Sequence, residues 1–340
     1  MRRYFLILVA FFTAYNLLAQ GERKDKTAVT YEEIYDEPYS VNKLFVHFQP
    51  FYGEMFVTNV NAGFGVEATY YHNDMADFRA HFRKTYTQKF FDQARDLGLK
   101  NSDLDNEPEV YNYFELGGTY HVRDFEQSSK TKMFLYKKSY KGNRWAARVP
   151  LSADIPCKVR KIYGVRVGGI LWDGATDLSR ALEEQGLTNA DLKDAEGSGM
   201  PDDLSLYGNI YSLGGYVGGS ITWIKNVAVN FDKFEEGIDD LILTAYLDIL
   251  VSPSITLDDL VYTDPDTKEV FTYDVSPIEL KKFGFRLGLE GKFNRTLSWA
   301  YGGEVGYRPS IKGRTFYAML KISLPVFGTN LDYKVESFGK

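Results

Sequence analysis

The chain has 340 residues, with 40 lysines and arginines against 46 aspartates and glutamates, and its formal net charge is −6. An acidic chain without a basic patch gives no indication of nucleic acid as a partner. The single cysteine, Cys157, excludes an intramolecular disulfide bond.

The N-terminus is typical of a secretory signal peptide. Two arginines precede an apolar stretch from Tyr4 to Leu18, and the small residue Ala19 follows it. We predict cleavage after Ala19, which changes the net charge from −6 to −8 because two arginines and no acidic residue leave with residues 1–19. A retained anchor is the alternative, but about 15 apolar residues are fewer than the roughly 20 that a spanning helix needs.

The remainder of the chain contains no run of about 18 apolar residues, which disfavours a helical inner-membrane protein. An exported protein without such a helix lies in the periplasm or in the outer membrane. The chain has 25 tyrosines, 24 phenylalanines and 4 tryptophans, and outer-membrane barrels place such rings at both membrane interfaces. We therefore expect the protein to lie in the outer membrane, surrounded by its lipid.

Strand signals begin after a polar segment, residues 20–43, which we interpret as an N-terminal segment on the periplasmic side. From Leu44 onwards apolar residues recur at alternate positions, as β-strands require, and Asn73 with Asp74 predicts a hairpin turn. Further strands are predicted at Tyr111–Val122, Lys132–Tyr140, Trp145–Leu151, Lys161–Trp172, Leu206–Val217, Ile221–Phe231, Leu241–Val251, a pair around Asp264–Asp266, and three runs between residues 283 and 324.

The C-terminal runs show the alternation most clearly. Phe285 and Leu289 share one face of a strand, whereas Arg286 and Glu290 share the other. In a membrane barrel the apolar face meets lipid and the polar face lines the interior. The predicted fold is all-β, an antiparallel transmembrane β-barrel of about 12 to 14 strands over residues 44–327, since single-chain bacterial barrels have even strand numbers. A soluble periplasmic β-sandwich is the alternative, and it requires the apolar face to be covered by protein.

Two connections are longer than hairpins and are the predicted places for partner binding. Residues 87–109 begin with a helix-like piece, Lys89–Leu99, and residues 173–204 carry another, Leu178–Gln185. Long loops of such barrels face outside and loops commonly carry function, so other envelope proteins are the expected partners. The acidic run 103–109 offers oxygen atoms to calcium but lacks the spacing of an EF-hand loop. We predict no metal and no cofactor.

Charged residues of both signs recur on the predicted polar face, where they either line an open lumen or pair and fill it. An open lumen indicates a porin-like channel for small solutes, and a filled one indicates an accessory or structural barrel, which we favour. The predicted lumen-facing set is Glu67, Asp77, Arg79, His81, Arg83, Glu115, His121, Arg166, Asp248, Arg286, Glu290, Lys292, Glu304, Arg308 and Lys321.

Three residues of this set, His81, His121 and Glu115, suggest an enzyme that modifies outer-membrane lipid, a hydrolase or acyltransferase, as a third function. Glu115 and His121 are six residues apart on one predicted strand, roughly 20 Å by strand rise. The chain contains no Gly-x-Ser-x-Gly elbow. We predict no enzymatic activity and no catalytic residues, and a serine hydrogen-bonded to His81 or His121 would favour the enzyme instead.

The signal-peptide end Leu17–Gln20, followed by a chain rich in tyrosine and phenylalanine, resembles the outer-membrane barrel proteins of Bacteroidota-type Gram-negative bacteria. The segment from Ile221–Val227 through Leu247–Pro253 is similar to a hairpin of that group. The resemblance implies an outer-membrane barrel over most of the chain, and it supplies no catalytic residues.

The C-terminus departs from the pattern of these barrels, which normally end in a strand closed by an aromatic residue. Here Phe327 closes the last clear strand and residues 328–340 follow. Either this tail folds back, or Tyr333–Phe338 forms the last strand.

Overall fold

The computed structural model describes residues 29–56, 59–86, 103–106, 109–135, 151–232, 234–294 and 299–328. The predicted signal peptide, the helix-like piece Lys89–Leu99 and the tail segment Tyr333–Phe338 lie outside these residues. The described part contains one α-helix, α1 (Leu178–Gln185), a 3-10 turn (Asn189–Asp191) and the strands β1 Tyr31–Asp36, β2 Leu44–Phe56, β3 Asn59–His72, β4 Ala76–Thr85, β5 Asn112–Leu135, β6 Leu151–Asp177, β7 Tyr207–Ile224, β8 Val227–Phe231, β9 Gly237–Asp239, β10 Leu241–Leu257, β11 Leu260–Thr263, β12 Val270–Tyr273, β13 Leu280–Lys281, β14 Phe283–Phe293, β15 Ala300–Tyr307, β16 Ser310–Ile311 and β17 Phe316–Gly328.

Ten of these strands form a closed antiparallel barrel in the order β2-β3-β4-β5-β6-β7-β10-β14-β15-β17. The last strand, β17, pairs back to β2, with Ala318 opposite Met55 and Leu320 opposite Gly53, so the described strands close the barrel by themselves. The all-β prediction and the prediction of a barrel are therefore confirmed. We call the end at which β2 begins and β17 ends the terminal end, and the opposite end the loop end.

The predicted number of 12 to 14 strands is wrong, because the barrel closes with ten. Lys132 was predicted to lie in a different strand from Tyr111–Val122, but both belong to β5. Leu151 was predicted to lie in a different strand from Lys161–Trp172, but both belong to β6. The long strands β5 and β6 pair as one hairpin. The pair predicted around Asp264–Asp266 forms the two-stranded sheet β11-β12 outside the barrel. Alternation identifies a strand but not the strand with which it pairs. The sequence pattern therefore does not distinguish barrel strands from the extended ends of β5 and β6 or from the separate sheet β11-β12.

The apolar face of the barrel points outward. Leu116, Val167, Leu287 and Leu320 are 70, 62, 52 and 71% exposed, and within the described residues no protein layer covers them. Contiguous exposed apolar surface of this extent is typical of a surface that contacts lipid. On β5 the belt runs from Phe114 to Val122, roughly 27 Å along the strand, which after strand tilt approaches the apolar band of about 25 Å in outer-membrane barrels.

The loop end is closed by a cap with its own apolar core. Asp177 caps the N-terminus of helix α1, since its carboxylate accepts a hydrogen bond from the Arg180 amide. Gly186 caps the C-terminus at a φ of +73°, a left-handed conformation that glycine adopts without strain. The core of the cap packs onto the barrel strands at the loop end. It includes Leu178, Leu182, Leu192, Met200, Ile278, Trp172 and Tyr317.

The terminal end carries a small second layer outside the barrel. Residues 123–135 of β5 and 151–159 of β6 pair only with each other and extend past the barrel as a two-stranded hairpin. The three-stranded sheet β1-β8-β9 packs on this hairpin. The buried residues of this layer are Met133, Leu135, Ile155, Cys157, Val159, Val227, Val229 and Phe231. The free edge of β6 is protected by Pro156, which has no amide hydrogen, and by Asp36, which accepts the Lys158 amide at 2.9 Å.

Candidate functional site in the barrel interior

The structure places the predicted polar face inside the barrel, where water is largely excluded. Glu290 and Lys292 are half-buried, and every other member of the predicted set is less than 10% exposed. The fully enclosed members are Glu67, Asp77, Arg79, His81, Arg83, Glu115, His121, Arg166, Asp248, Arg286, Glu304, Arg308 and Lys321. Since charges without partners are costly in such surroundings, their pairing decides what the interior can do.

The middle of the barrel is crossed by an ion pair between Arg286 on β14 and Glu115 on β5. Two guanidinium nitrogens of Arg286 donate to the two carboxylate oxygens of Glu115 at 2.8 and 2.6 Å. Its Nε donates to Asp248 at 2.8 Å, and Asp248 also accepts from Arg166 at 2.9 Å. The Arg166 guanidinium lies 3.9 Å from the centre of the Tyr246 ring. A bidentate pair of this kind fixes the orientation of both side chains as well as stabilising their charges.

A second layer lies nearer the terminal end. Lys321 donates to Glu67 at 2.6 Å and to Glu290 at 2.7 Å. Arg79 on β4 donates to Glu290 on β14 at 3.0 Å, and these strands lie on opposite walls of the barrel. The layer therefore spans the full width of the lumen.

The ligand atoms of Glu67, His81 and Glu290 lie within 4.8 Å of one another, a spacing that could hold a metal ion. Both carboxylates, however, already bind the ammonium group of Lys321. Lys321 supplies the positive charge that a metal ion would bring. A metal ion could bind here only if the ammonium group of Lys321 were displaced.

A third layer closes the interior towards the loop end. Arg308 donates to both oxygens of Glu54, at 3.1 and 2.8 Å. Its guanidinium lies 4.3 Å from the Tyr317 ring centre and 5.4 Å from that of Trp172. A cation held between aromatic faces and a carboxylate is strongly fixed, so this layer joins the charged interior to the apolar core of the cap.

Two interior cavities that described residues line are small. A cavity lined by Glu67, Arg79 and Lys321 measures about 20 Å³, and one beside Arg286 and Arg308 measures about 10 Å³. Volumes of this size hold about one water molecule each. They leave no room for a solute.

The N-terminal segment crosses the mouth at the terminal end. The backbone amide of Asn42 donates to the side-chain oxygen of Asn294 at 2.9 Å, and the Asn294 amide donates to the Ser40 carbonyl at 2.6 Å. Asn226 donates to the carbonyls of Glu37 and Ser40, at 2.7 and 3.0 Å. Residues 37–43 are thus hydrogen-bonded to two turns of the barrel. Val41 packs on the buried cluster of Phe45, Ile162, Ile224 and Ile242 at this end, so the segment covers the opening.

The two histidines that suggested a lipid-modifying enzyme contact other groups. His121 lies 3.2 Å from Asp77 and 3.0 Å from the Asp74 carbonyl, and His81 lies 3.8 Å from Glu67. Across the described ranges neither is hydrogen-bonded to a serine, and Nδ1 of His81 makes no hydrogen bond. Glu115 is bound to Arg286 rather than to a histidine.

The described part of the acidic run 103–109 fastens this segment to the cap. Asp103 accepts the Ser205 amide at 2.8 Å, and Asp105 accepts the Thr263 hydroxyl at 2.6 Å. Asn106 accepts the Val261 amide at 2.8 Å. These oxygen atoms therefore hold loops together.

Sequence reasoning missed three interior residues on β2: His47, Gln49 and Glu54. Gln49 donates to Glu67 at 2.8 Å, and Glu54 binds Arg308. A bulge at Pro50 and Phe51 shifts the register, since Gln49 pairs with Gly65 but Tyr52 pairs with Gly63. The inward face therefore changes from odd to even positions. Pro50 was the available signal, because proline within a sheet marks a bulge or an edge.

In the described part of the chain no helix is long and apolar enough to cross a membrane. A scan against protein-family models gives no match, and a search of curated proteins gives none either. Among solved structures, the "CymD monoaromatic hydrocarbon channel" is similar at 8% sequence identity, over 88% of this chain and 94% of that chain, with a TM-score of 0.24.

Proposed function

We propose that this chain is an integral outer-membrane β-barrel with a filled interior, which acts as a non-enzymatic accessory or structural protein and binds other envelope proteins through its parts outside the membrane. The observation that carries this proposal is the ion pair between Arg286 and Glu115. It crosses the middle of the lumen, where a channel would need open space.

Two further features favour a scaffold over a channel. Residues 37–43 cover the terminal mouth through Asn42 and Asn294, and the cap around α1 covers the loop end. A solute would have to displace both covers and three layers of paired charge. The porin-like channel is accordingly the second candidate.

Partner binding is assigned to the cap because one of its loops presents a defined and exposed tip. Lys193 pairs with Gly199 in a β-bridge, and the Asp194 amide donates to the Ser198 carbonyl at 3.0 Å. Residues 195–197 lie beyond these paired positions and are exposed. A loop that is fixed at its base loses less conformational entropy on binding than a free loop does.

The first test is the single-channel conductance of the purified, refolded protein in a planar bilayer. Heat-modifiable gel mobility of the same sample reports the folded barrel, and a porin in the same bilayer is the positive control. A folded barrel that gives no conductance supports the proposal. Steady conductance steps that change when Arg286 or Glu304 is neutralised would instead assign the channel function.

The second test concerns the partner. A photo-crosslinking residue at Glu196, in the exposed loop tip, is expected to capture one envelope protein in intact cells. The same residue at Leu320, on the outward face of β17, is the control and should capture lipid only. Equal protein capture at both positions would count against the loop as the binding site.

A further inference from the structure

An apolar groove crosses the outer wall of the barrel from β5 to β14, since Val165, Gly219, Leu247 and Leu287 are neighbours in register on successive strands. Its volume is about 500 Å³, and its lining includes Val122, Tyr163, Val165, Leu247 and Leu287. The groove is open along its outer side, as a site for a chain of the surrounding lipid requires. The groove is large enough for part of a lipid chain.

Glycine forms part of the groove floor. A Cβ atom placed on Gly219 would have its nearest neighbour, the Gly164 carbonyl oxygen, at 3.8 Å. The space above Gly219 is therefore open, and a larger side chain there would fill the groove without a backbone clash.

Two cations lie on the outer face directly below the groove. Arg123 faces Tyr163 across the β5-β6 pair, and Lys161 faces Phe125. Residues related in this way are diagonal neighbours, roughly 7 to 8 Å apart. Phe125 and Tyr163 occupy the other diagonal, so one phosphate group can contact both cations from above the two rings. The Arg123 guanidinium lies 4.6 Å from the Phe125 ring centre, and the Phe125 and Tyr163 rings stack at 6.0 Å. Aromatic rings at this level are typical of a membrane interface.

The opposite face of the same hairpin shows a different arrangement. There Arg160 binds Asp124 at 2.9 Å, and Lys158 lies 3.7 Å from Glu126. By contrast, neither Arg123 nor Lys161 has a carboxylate partner among the residues that the structure describes. The protein thus neutralises Arg160 and Lys158, which point away from lipid. Arg123 and Lys161, below the groove, can bind an anion from outside the protein.

We propose that this outer wall binds one anionic phospholipid of the periplasmic leaflet, with an acyl chain in the groove and its phosphate between Arg123 and Lys161. This inference rests on the proposed function, since it requires a barrel in the outer membrane with its terminal end in the periplasm. Guanidinium and ammonium groups recognise phosphate through charge-assisted hydrogen bonds. The apolar groove and the cation pair together select a ligand that has both a chain and a negative headgroup.

Native mass spectrometry of the full-length folded barrel, delipidated and then supplied with phosphatidylglycerol or phosphatidylethanolamine of identical chains, tests this proposal. We expect one phosphatidylglycerol to be retained in preference to phosphatidylethanolamine. Each basic residue near an anionic lipid contributes about fivefold in affinity, so the double variant Arg123→Gln/Lys161→Gln is expected to bind roughly 25-fold more weakly. Gly219→Leu should weaken both lipids, because it fills the groove.

Lys158→Gln is the matched control, because it removes a cation that the protein already neutralises, and it should bind as the wild type does. Equal retention of the two lipids by the wild type, or unchanged retention by the double variant, would overturn the proposal. A lipid-free dimer mass would also overturn it, by assigning the groove to a second copy of the chain.

Conductance measured on the same samples separates this proposal from the proposed function. A silent, folded barrel without lipid preference leaves the scaffold standing and removes the lipid site. A conducting barrel that still prefers phosphatidylglycerol removes the scaffold and keeps the lipid site.

Discussion

Arg286 on β14 donates two hydrogen bonds to Glu115 on β5, at 2.8 and 2.6 Å, across the middle of the barrel. Three strands separate the two residues on one side of the barrel and five on the other. The pair therefore connects nearly opposite walls. Both side chains are almost fully buried, so each charge depends on the other for compensation.

Glu115→Ala is expected to destabilise the barrel by about 3 to 5 kcal/mol, because it leaves Arg286 buried with part of its charge uncompensated. The double variant Glu115→Leu/Arg286→Met should lose less than Glu115→Ala, since no unpaired charge remains and Asp248 keeps its hydrogen bond from Arg166. Equilibrium urea unfolding in lipid vesicles, followed by tryptophan fluorescence, measures both variants. A double variant that loses as much stability as Glu115→Ala, or more, would contradict this expectation.

Leu289→Arg is expected to prevent assembly of the barrel. Leu289 is 46% exposed on the outward face of β14 and lies opposite Ala245 and Gly303. Arginine at mid-bilayer on the lipid face of a barrel costs roughly 2 to 4 kcal/mol. The measurement is the heat-modifiable fraction in outer-membrane preparations, and Leu289→Phe is the apolar control. Wild-type levels of folded Leu289→Arg would mean that this face does not contact lipid.

The placement of charges on the inward face follows from local sequence alone. In β14, Arg286 and Glu290 alternate with Phe285 and Leu289, and a strand must send such residues to opposite faces. Glu54 escaped this reasoning because the bulge at Pro50 and Phe51 reverses the alternation within one strand. Alternation is reliable only between irregularities.

Pairing partners across the lumen could not be predicted from the sequence. Arg79 and Glu290 are 211 positions apart, and their contact depends on the number of strands that closes the barrel. The predicted count of 12 to 14 strands would have placed different strands opposite each other. The long hairpin beyond Val122 was missed for a related reason, since a strand that leaves the barrel keeps its period of two.

Asn294→Ala is expected to loosen the cover of the terminal mouth. The Asn294 side chain accepts the Asn42 amide and donates to the Ser40 carbonyl. Each hydrogen bond contributes about 0.5 to 1.5 kcal/mol, so amide exchange in residues 37–43 should become roughly tenfold faster. Hydrogen–deuterium exchange with mass spectrometry measures this change.

The control for the terminal mouth is Asn209→Ala, at the loop end. Asn209 likewise accepts one backbone amide, from Glu109, and donates to one oxygen atom, of Asp258. Its removal should leave exchange in residues 37–43 unchanged. If both variants accelerate exchange equally, the effect is a global loss of stability and the cover is not specific to Asn294.

Cys157 tests whether the small sheet β1-β8-β9 covers the hairpin. The thiol is 5% exposed, it packs with Val229 and Phe231, and burial raises its pKa. A raised pKa means less thiolate at neutral pH, and the thiolate is the reactive form. Maleimide labelling of the folded wild type is expected to be at least about tenfold slower than that of Ser128→Cys in a Cys157→Ser background, because Ser128 is exposed on the opposite face.

Phe231→Ala should accelerate labelling of Cys157, since it removes a fully buried ring from the same cluster and leaves a cavity beside the thiol. The labelling rate should depend on the stability of this small layer and not on that of the barrel. Glu115→Ala, which weakens the barrel interior, is therefore the control and should leave the rate unchanged while the barrel is folded. Rapid labelling of the wild type would show that β1-β8-β9 does not cover the hairpin, and residues 131–135 and 151–159 would then be open to a partner on both faces.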